Sequence, residues 1–286
     1  MMLFDLSFSP TLLALTGLVF GSIIGSFLNV VILRLPMILK AEWTRDSREF
    51  LGLEPVHEQP ITLSKPRSHC PSCNTPIKPV HNIPILSYCY LRGRCNACGG
   101  LISVQYPIIE LAAGLITAYF LTVYGITAKT CFSIVFSYAL MVLAVTDLRE
   151  KLLPDQITLT LLWLGLLVNL DGLFVSSGEA IIGAIVGYLP LWALFWLFKW
   201  ITGKEGMGYG DFKLTAALGA WLGWQMVPVV ILLSSLLGTL AGCCAIVFAG
   251  RDKNISFAFG PYLCLSGWIA LQWGDTVLNL LKYLSF

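Results

Sequence analysis

Residues 11–33 read TLLALTGLVFGSIIGSFLNVVIL, a run with no charged side chain. A helix of about 20 mostly apolar residues crosses the ~30 Å of hydrocarbon in a bilayer. Seven further apolar runs follow, at 106–124, 130–146, 156–173, 179–201, 212–224, 226–249 and 258–281. The run 212–224 is short and contains glycine, which predicts a tilted helix or a half-span beside a cavity. A membrane β-barrel needs alternating segments of about ten residues, and these unbroken runs do not alternate. Composition agrees. Of 286 residues, 57% are hydrophobic and only 12% charged, against about 25% charged in soluble domains. The mean hydropathy is +0.79. An ordinary soluble domain is thereby excluded, and a net charge of +2 speaks against nucleic acid as a partner. The expected fold class is an all-α polytopic membrane protein with about eight transmembrane helices.

Lysine and arginine set the orientation of such a chain. The segment 34–105 carries Arg34, Lys40, Arg45, Arg48, Lys65, Arg67, Lys78, Arg92 and Arg94. If it is cytoplasmic, alternation places Arg149, Lys151, Lys199, Lys204, Lys213, Arg251 and Lys253 on the same side, leaving only Lys129 and Lys282 opposite. Both termini are then expected outside. Asp5 is the only charged side chain before the first run; with no basic n-region and no cleavage signature, 11–33 is read as a retained span. The expected organisation is a first transmembrane helix within 1–33, a cytoplasmic domain over 34–105, and a seven-helix membrane core over 106–286. Within 34–105, the part up to Ser64 mixes acids and bases and reads as a flexible insert. From Lys65 to Gln105 there are five bases and no acid, suited to anionic lipid headgroups or to a substrate.

Cys70-Pro-Ser-Cys73 and Cys95-Asn-Ala-Cys98 are two CxxC pairs within 70–98. Each pair can offer two sulfurs to one tetrahedral ion, and two pairs complete a four-thiolate shell. Reducing cytoplasm argues against two disulfides, so the expected ligand is a structural Zn2+. Cys89, His57, His69 and His81 are alternative ligands in the same segment. Cys131, Cys243, Cys244 and Cys264 lie in apolar runs and read as small packing residues.

Among the acids, Asp155 follows Pro154 at a helix start, Asp171-Gly172 reads as a turn, and Asp275 can face water. Glu110 lies one turn into the second run, where it can partner a basic loop residue. Asp147 closes the third run and Asp211 opens the sixth, both at the expected cytoplasmic ends despite 64 residues between them. Acids at membrane depth are costly and mark partners or cavities. Two carboxyls held close share a proton, which supplies a base to activate water and an acid to protonate a leaving amine. Gly208 and Gly210, before Asp211, remove side chains and would let an extended substrate backbone approach. The blander alternatives are pairing of Asp147 with Arg149 or Lys151, and capping by Asp211 beside Lys213.

Taken together and in order, these residues resemble the bacterial type IV prepilin peptidases, GxGD aspartic proteases that are bifunctional leader peptidases and N-methyltransferases. The motifs are Gly25-Ser-Phe-Leu-Asn29-Val-Val-Ile-Leu-Arg34-Leu-Pro36, the CxxC pairs, Asn82-Ile-Pro84-Ile-Leu-Ser-Tyr88, Leu91-Arg92-Gly93-Arg94-Cys95, Tyr106-Pro107-Ile-Ile-Glu110, Leu153-Pro154-Asp155, Gly208-Tyr209-Gly210-Asp211 and Phe259-Gly260-Pro261. Leu153 stands where the family usually has isoleucine. The resemblance implies an enzyme of the bacterial inner membrane that cuts basic leaders from prepilins and pseudopilins with Asp147 and Asp211 as catalytic pair. It further implies N-methylation of the new terminus with S-adenosylmethionine, and a zinc-binding cytoplasmic domain. No glycine-rich loop for that methyl donor is visible; Asn29, Arg34 and Glu110, near the expected cytoplasmic face, are the candidate residues for it. Three other classes are weighed. A proton-coupled transporter lacks an internal repeat here, a presenilin-type protease would want tyrosine at Thr146, and a zinc-bearing scaffold would leave the two acids without a role.

Overall fold

The structure, a computed structural model, describes residues 9–54, 61–204, 206–249 and 258–284. Asp5, His57, Arg251 and Lys253 lie outside the described residues. The elements are α1 (Pro10–Phe50), a 3-10 turn (Pro79–Asn82), α2 (Leu86–Tyr90), α3 (Gln105–Tyr124), α4 (Ala128–Glu150), α5 (Asp155–Val168), α6 (Ser177–Thr202), α7 (Tyr209–Leu222), α8 (Met226–Ala249) and α9 (Gly260–Leu284). Each of the eight apolar runs has become one of the long helices, and the described residues form no strand beyond two isolated bridges. Among the described residues, five helices, α1, α3, α4, α6 and α8, are long and apolar enough to cross a membrane. The protein is an all-α polytopic membrane protein with a four-cysteine cluster between its helices. α5 and α7 have 14 residues each, about 21 Å of helix, and α9 is interrupted at Trp273.

The chain forms two compact units, Met1–Ile134 and Val135–Phe286, dividing within α4. In the first, α1 and α3 run antiparallel in close contact. A side chain at Gly17 would lie 2.7 Å from Ala118 Cα, at Gly21 2.5 Å from the Ala113 carbonyl, and at Gly25 2.7 Å from Glu110 Cα. Small residues four apart let two helix backbones meet in this way.

α1 does not stop near residue 33. It continues to Phe50, so much of the expected flexible insert is helix. Residues 37–50 are mostly good helix formers with no glycine or proline. The stop comes at Gly52, left-handed at φ +64°. Its amide donates to the Glu49 carbonyl (3.1 Å) and the Leu53 amide to that of Arg48 (2.9 Å), the paired bonds of a Schellman ending.

In the second unit α7 is the innermost helix, with Asp211, Phe212 and every residue from Leu214 to Leu222 buried. α6 packs antiparallel to it: a side chain at Gly183 would strike the Gly219 carbonyl, and one at Gly187 would lie 2.5 Å from the Thr215 carbonyl. α5 runs parallel to α7. Lys213 Nζ bonds Asp155 Oδ2 at 2.7 Å at one end, and Trp221 Nε1 donates to the Leu161 carbonyl (2.8 Å) towards the other, where Gly165 leaves room for the indole. Asn169, wholly buried, donates to the Ala220 carbonyl (2.9 Å) and accepts from the Phe174 amide (2.9 Å), tying the far end of α7 to the turn before α6. That next helix begins with a capping box between Ser176 and Glu179.

The glycine contacts make a direct test of this packing. Gly183→Ala should cost roughly 1–3 kcal/mol by forcing α6 from α7, read as a lower unfolding temperature in detergent. Gly178→Ala, on the same helix with nothing within 4 Å of the added carbon, should be neutral or mildly stabilising. Equal behaviour of the two variants would contradict the packing described.

Candidate active site and metal centre

Asp147 lies in the last turn of α4 and Asp211 in the first turn of α7. Both are largely buried, at 6% and 8% exposure. The two carboxyls stand within electrostatic reach of one another, although their helices are separated by α5 and α6 in sequence. The starts of α5 and α9 come to the same end of this unit. The amide of Gly260, first residue of α9, donates to Asp147 Oδ2 at 3.0 Å. Leu153, just before α5, packs on both partners: its Cβ is 2.7 Å from where a Gly210 side chain would begin, and its Cδ2 3.1 Å from the equivalent point at Gly260. The thiol of Cys264, one turn into α9, is buried within electrostatic reach of both carboxyls.

The two glycines before Asp211 differ. Among the described residues beyond its chain neighbours, only the Asp211 carboxylate (3.5 Å) and the Gly210 nitrogen (4.0 Å) lie within 4 Å of the Gly208 side-chain position. At Gly210 the space is filled by Leu153, so glycine there serves packing. Asp155 takes Lys213 as its partner. Arg149, Lys151, Lys199, Lys204 and Lys213 all belong to the helix termini gathered at this end. Of the cysteines read as packing residues, Cys264 is buried, while Cys131, Cys243 and Cys244 are exposed on their helices.

In the first unit, Cys70, Cys73, Cys95 and Cys98 come together with all four sulfurs within 4.8 Å of one another. Cys70 Sγ and Cys98 Sγ are 3.8 Å apart, which is the ~3.8 Å edge of a tetrahedron with Zn–S bonds of about 2.3 Å. The two halves are built alike. The Cys70 amide donates to the Thr75 carbonyl (3.0 Å) and the Asn74 amide to that of Cys70 (2.8 Å); the Cys95 amide donates to Gly100 (2.8 Å) and the Gly99 amide to Cys95 (2.9 Å). Asn74 (φ +56°) and Gly99 (φ +70°) take the left-handed turn at matching places, and these residue types tolerate it. Each turn is closed by a bridge, His69 with Pro76 and Arg94 with Leu101.

The backbone amide of Ser72, then that of Cys73, draws the Cys70 thiol below its ordinary range. Thr75 does so for Cys73, and the amides of Cys98 and Ala97 for Cys95. At Cys98 the Gly100 amide favours the thiolate, but the Cys73 sulfur, desolvation, and the sulfurs of Cys95 and Cys70 together outweigh it and push the group up to about 11. Three sulfurs disposed to ionise, and a fourth held back by them, form a donor set that a divalent cation would complete. Neither Cys89 nor a described histidine joins the cluster.

Asn29, Arg34 and Glu110 each hold the chain's own backbone. Asn29 Nδ2 donates to the carbonyls of Tyr106 (3.1 Å) and Gly25 (3.3 Å). Arg34 gathers three carbonyls, Thr62 (3.0 Å), Leu63 (3.1 Å) and Pro66 (2.7 Å). Glu110 Oε2 accepts the amide of Ile85 (2.7 Å), a β-branched residue at φ +60°, rather than a basic loop side chain. Sequence reasoning gave Gly260 and Leu153 no role. A glycine at a helix start and an apolar residue before Pro-Asp carry no mark of the carboxyls they meet.

Comparison with known proteins identifies the family. Residues 19–124 match the bacterial peptidase A24 N-terminal domain, and residues 134–243 match the type IV leader peptidase family. A prepilin leader peptidase/N-methyltransferase of Aeromonas hydrophila is 51% identical over 260 residues, 90% of each chain. Proteins of the same description from Pseudomonas aeruginosa and Neisseria gonorrhoeae are each 45% identical, covering 97% and 93% of this chain and 95% and 92% of their own. No solved structure matches the chain. With the four-cysteine cluster in one unit and paired buried carboxyls in the other, and with relatives this similar along nearly its whole length, the chain belongs to the type IV leader peptidase family.

Proposed function

We propose that the protein cleaves the leaders of prepilins and pseudopilins and methylates the amine so released, with Asp147 and Asp211 as the catalytic pair. One observation carries the peptidase reading: two buried carboxyls from separate helices lie within electrostatic reach at one end of a helical unit, beside Gly208. One carboxylate accepts a proton from water as the water oxygen attacks the scissile carbonyl carbon. The other, as the acid, protonates the amide nitrogen; the C–N bond breaks, leaving a leader carboxylate and a free amine without a covalent enzyme intermediate. Gly208 leaves the approach to Asp211 free of a side chain.

The lysines and arginines at the same end support a cytoplasmic site, where a basic leader would remain, with both termini and the outer turns periplasmic in the inner membrane. S-adenosylmethionine would supply the methyl group. Asn29 and Arg34 donate to backbone carbonyls and Glu110 accepts the Ile85 amide, while Gln105 Nε2 donates to Asn29 Oδ1 (3.4 Å); no step of methyl transfer is assigned to Asn29, Arg34 or Glu110. The cysteine cluster suits a structural Zn2+, since four thiolates filling a tetrahedral shell leave no coordination position for substrate.

Asp147→Asn and Asp211→Asn should each lower leader cleavage by roughly 100- to 10,000-fold, measured on purified enzyme with a full-length prepilin. Full cleavage by either variant would sink the pairing. Metal analysis should find about one zinc per chain, lost in Cys70→Ser or Cys95→Ser. These changes should lower the stability of the first unit more than the rate of cleavage; a folded, active protein holding no zinc would overturn that assignment.

A further inference from the structure

At the start of α9 the Gly260 backbone meets Asp147 in a sterically confined contact. The Gly260 amide bonds Asp147 Oδ2 at 3.0 Å in a buried setting. A side chain at Gly260 would begin 2.6 Å from that oxygen and 3.1 Å from Asp147 Cγ. Carbon cannot sit 2.6 Å from a carboxylate oxygen, and the oxygen is the movable end of a side chain. Relief would therefore come by swinging the carboxyl away, not by moving a helix. Leu153 stands against the same point from the α5 side and against Gly210, the neighbour of Asp211. One leucine thus touches both glycines that flank the two acids.

We propose that Gly260 is a positioning residue of the peptidase, whose amide and missing side chain fix the rotation of the Asp147 carboxyl, with Leu153 as the spacer that holds the Asp147 and Asp211 segments at working separation. The inference rests on the reading of Asp147 and Asp211 as the catalytic pair. It adds that the start of α9 belongs to the catalytic apparatus although no side chain of Gly260 or Pro261 takes part. Reacting groups must be held within a fraction of an ångström, and a misplacement of about 1 Å can cost 100-fold in rate. Substrate affinity does not depend on this bond, so the effect falls on kcat and spares KM.

The test uses full-length purified enzyme, with cleavage of a prepilin and methyl transfer to an already cleaved pilin measured side by side. Gly260→Ala should lower the kcat of cleavage ~100-fold, with KM and methyl transfer near parental values. Leu153→Ala, which keeps Cβ but removes the spacer's branches, should lower kcat ~10-fold in the same pattern. Parental cleavage by Gly260→Ala would overturn the inference. So would a parallel fall of cleavage and methyl transfer in both variants, which marks plain packing. Should Gly260→Ala alone lose both activities through misfolding, Leu153→Ala decides, and a parental kcat there overturns the proposal. Failure here is distinct from failure of the catalytic pair, because Asp147→Asn would stay inactive in the first case and cleave in the second.

Discussion

Lipid cannot hydrogen-bond a peptide group, so a helix end that falls within the hydrocarbon needs protein or water around it. α7 meets this constraint with 14 residues buried along nearly its whole length. Enclosure needs close neighbours, and Gly183, Gly187 and Gly165 let α6 and α5 approach until backbone or indole fills the place of a side chain. Because α7 cannot slide between these contacts, the depth of its first turn is set, and Asp211 is in that turn. The Asp155–Lys213 ion pair at one end and Asn169 at the other hold the same register. The pairing of two acids so far apart in sequence depends on this helix being trapped.

The first unit solves a different problem with similar economy. Polar side chains here tie backbone groups of separate segments together. Asn29 serves the Tyr106 carbonyl, Glu110 the Ile85 amide, and Arg34 three carbonyls of 62–66. These bonds draw residues 62–66 and Ile85 to α1 and α3, which is reason enough for polar residues at these places in an otherwise apolar chain.

Much of this was legible in the residues. Apolar run length located the eight long helices, and the spacing of Cys70, Cys73, Cys95 and Cys98 identified the cluster, because both signals are local. The ending of α1 was also written locally, in Gly52 and the helix formers before it, but mixed charge over 34–64 reads as loop when weighed by composition alone. The capping box at Ser176 and Glu179 was equally available. What the residues could not disclose is contact across distance. Nothing at Gly260 announces Asp147, 113 residues earlier. Nor does Gly210 reveal that Leu153 fills its space. Glu110 looked like a partner for a base because charge is visible in sequence and an exposed amide is not.

The grip of Arg34 on residues 62–66 has a consequence for the path of the chain. α1 leaves Arg34 and runs on to Phe50, yet the chain is back at the same guanidinium by Thr62. Both ends of the interval are thus clasped at one point, and the segment between them is a closed detour as far as the cysteine cluster is concerned. The chain therefore enters the cysteine cluster from a point fixed on α1, whatever its path between Phe50 and Thr62.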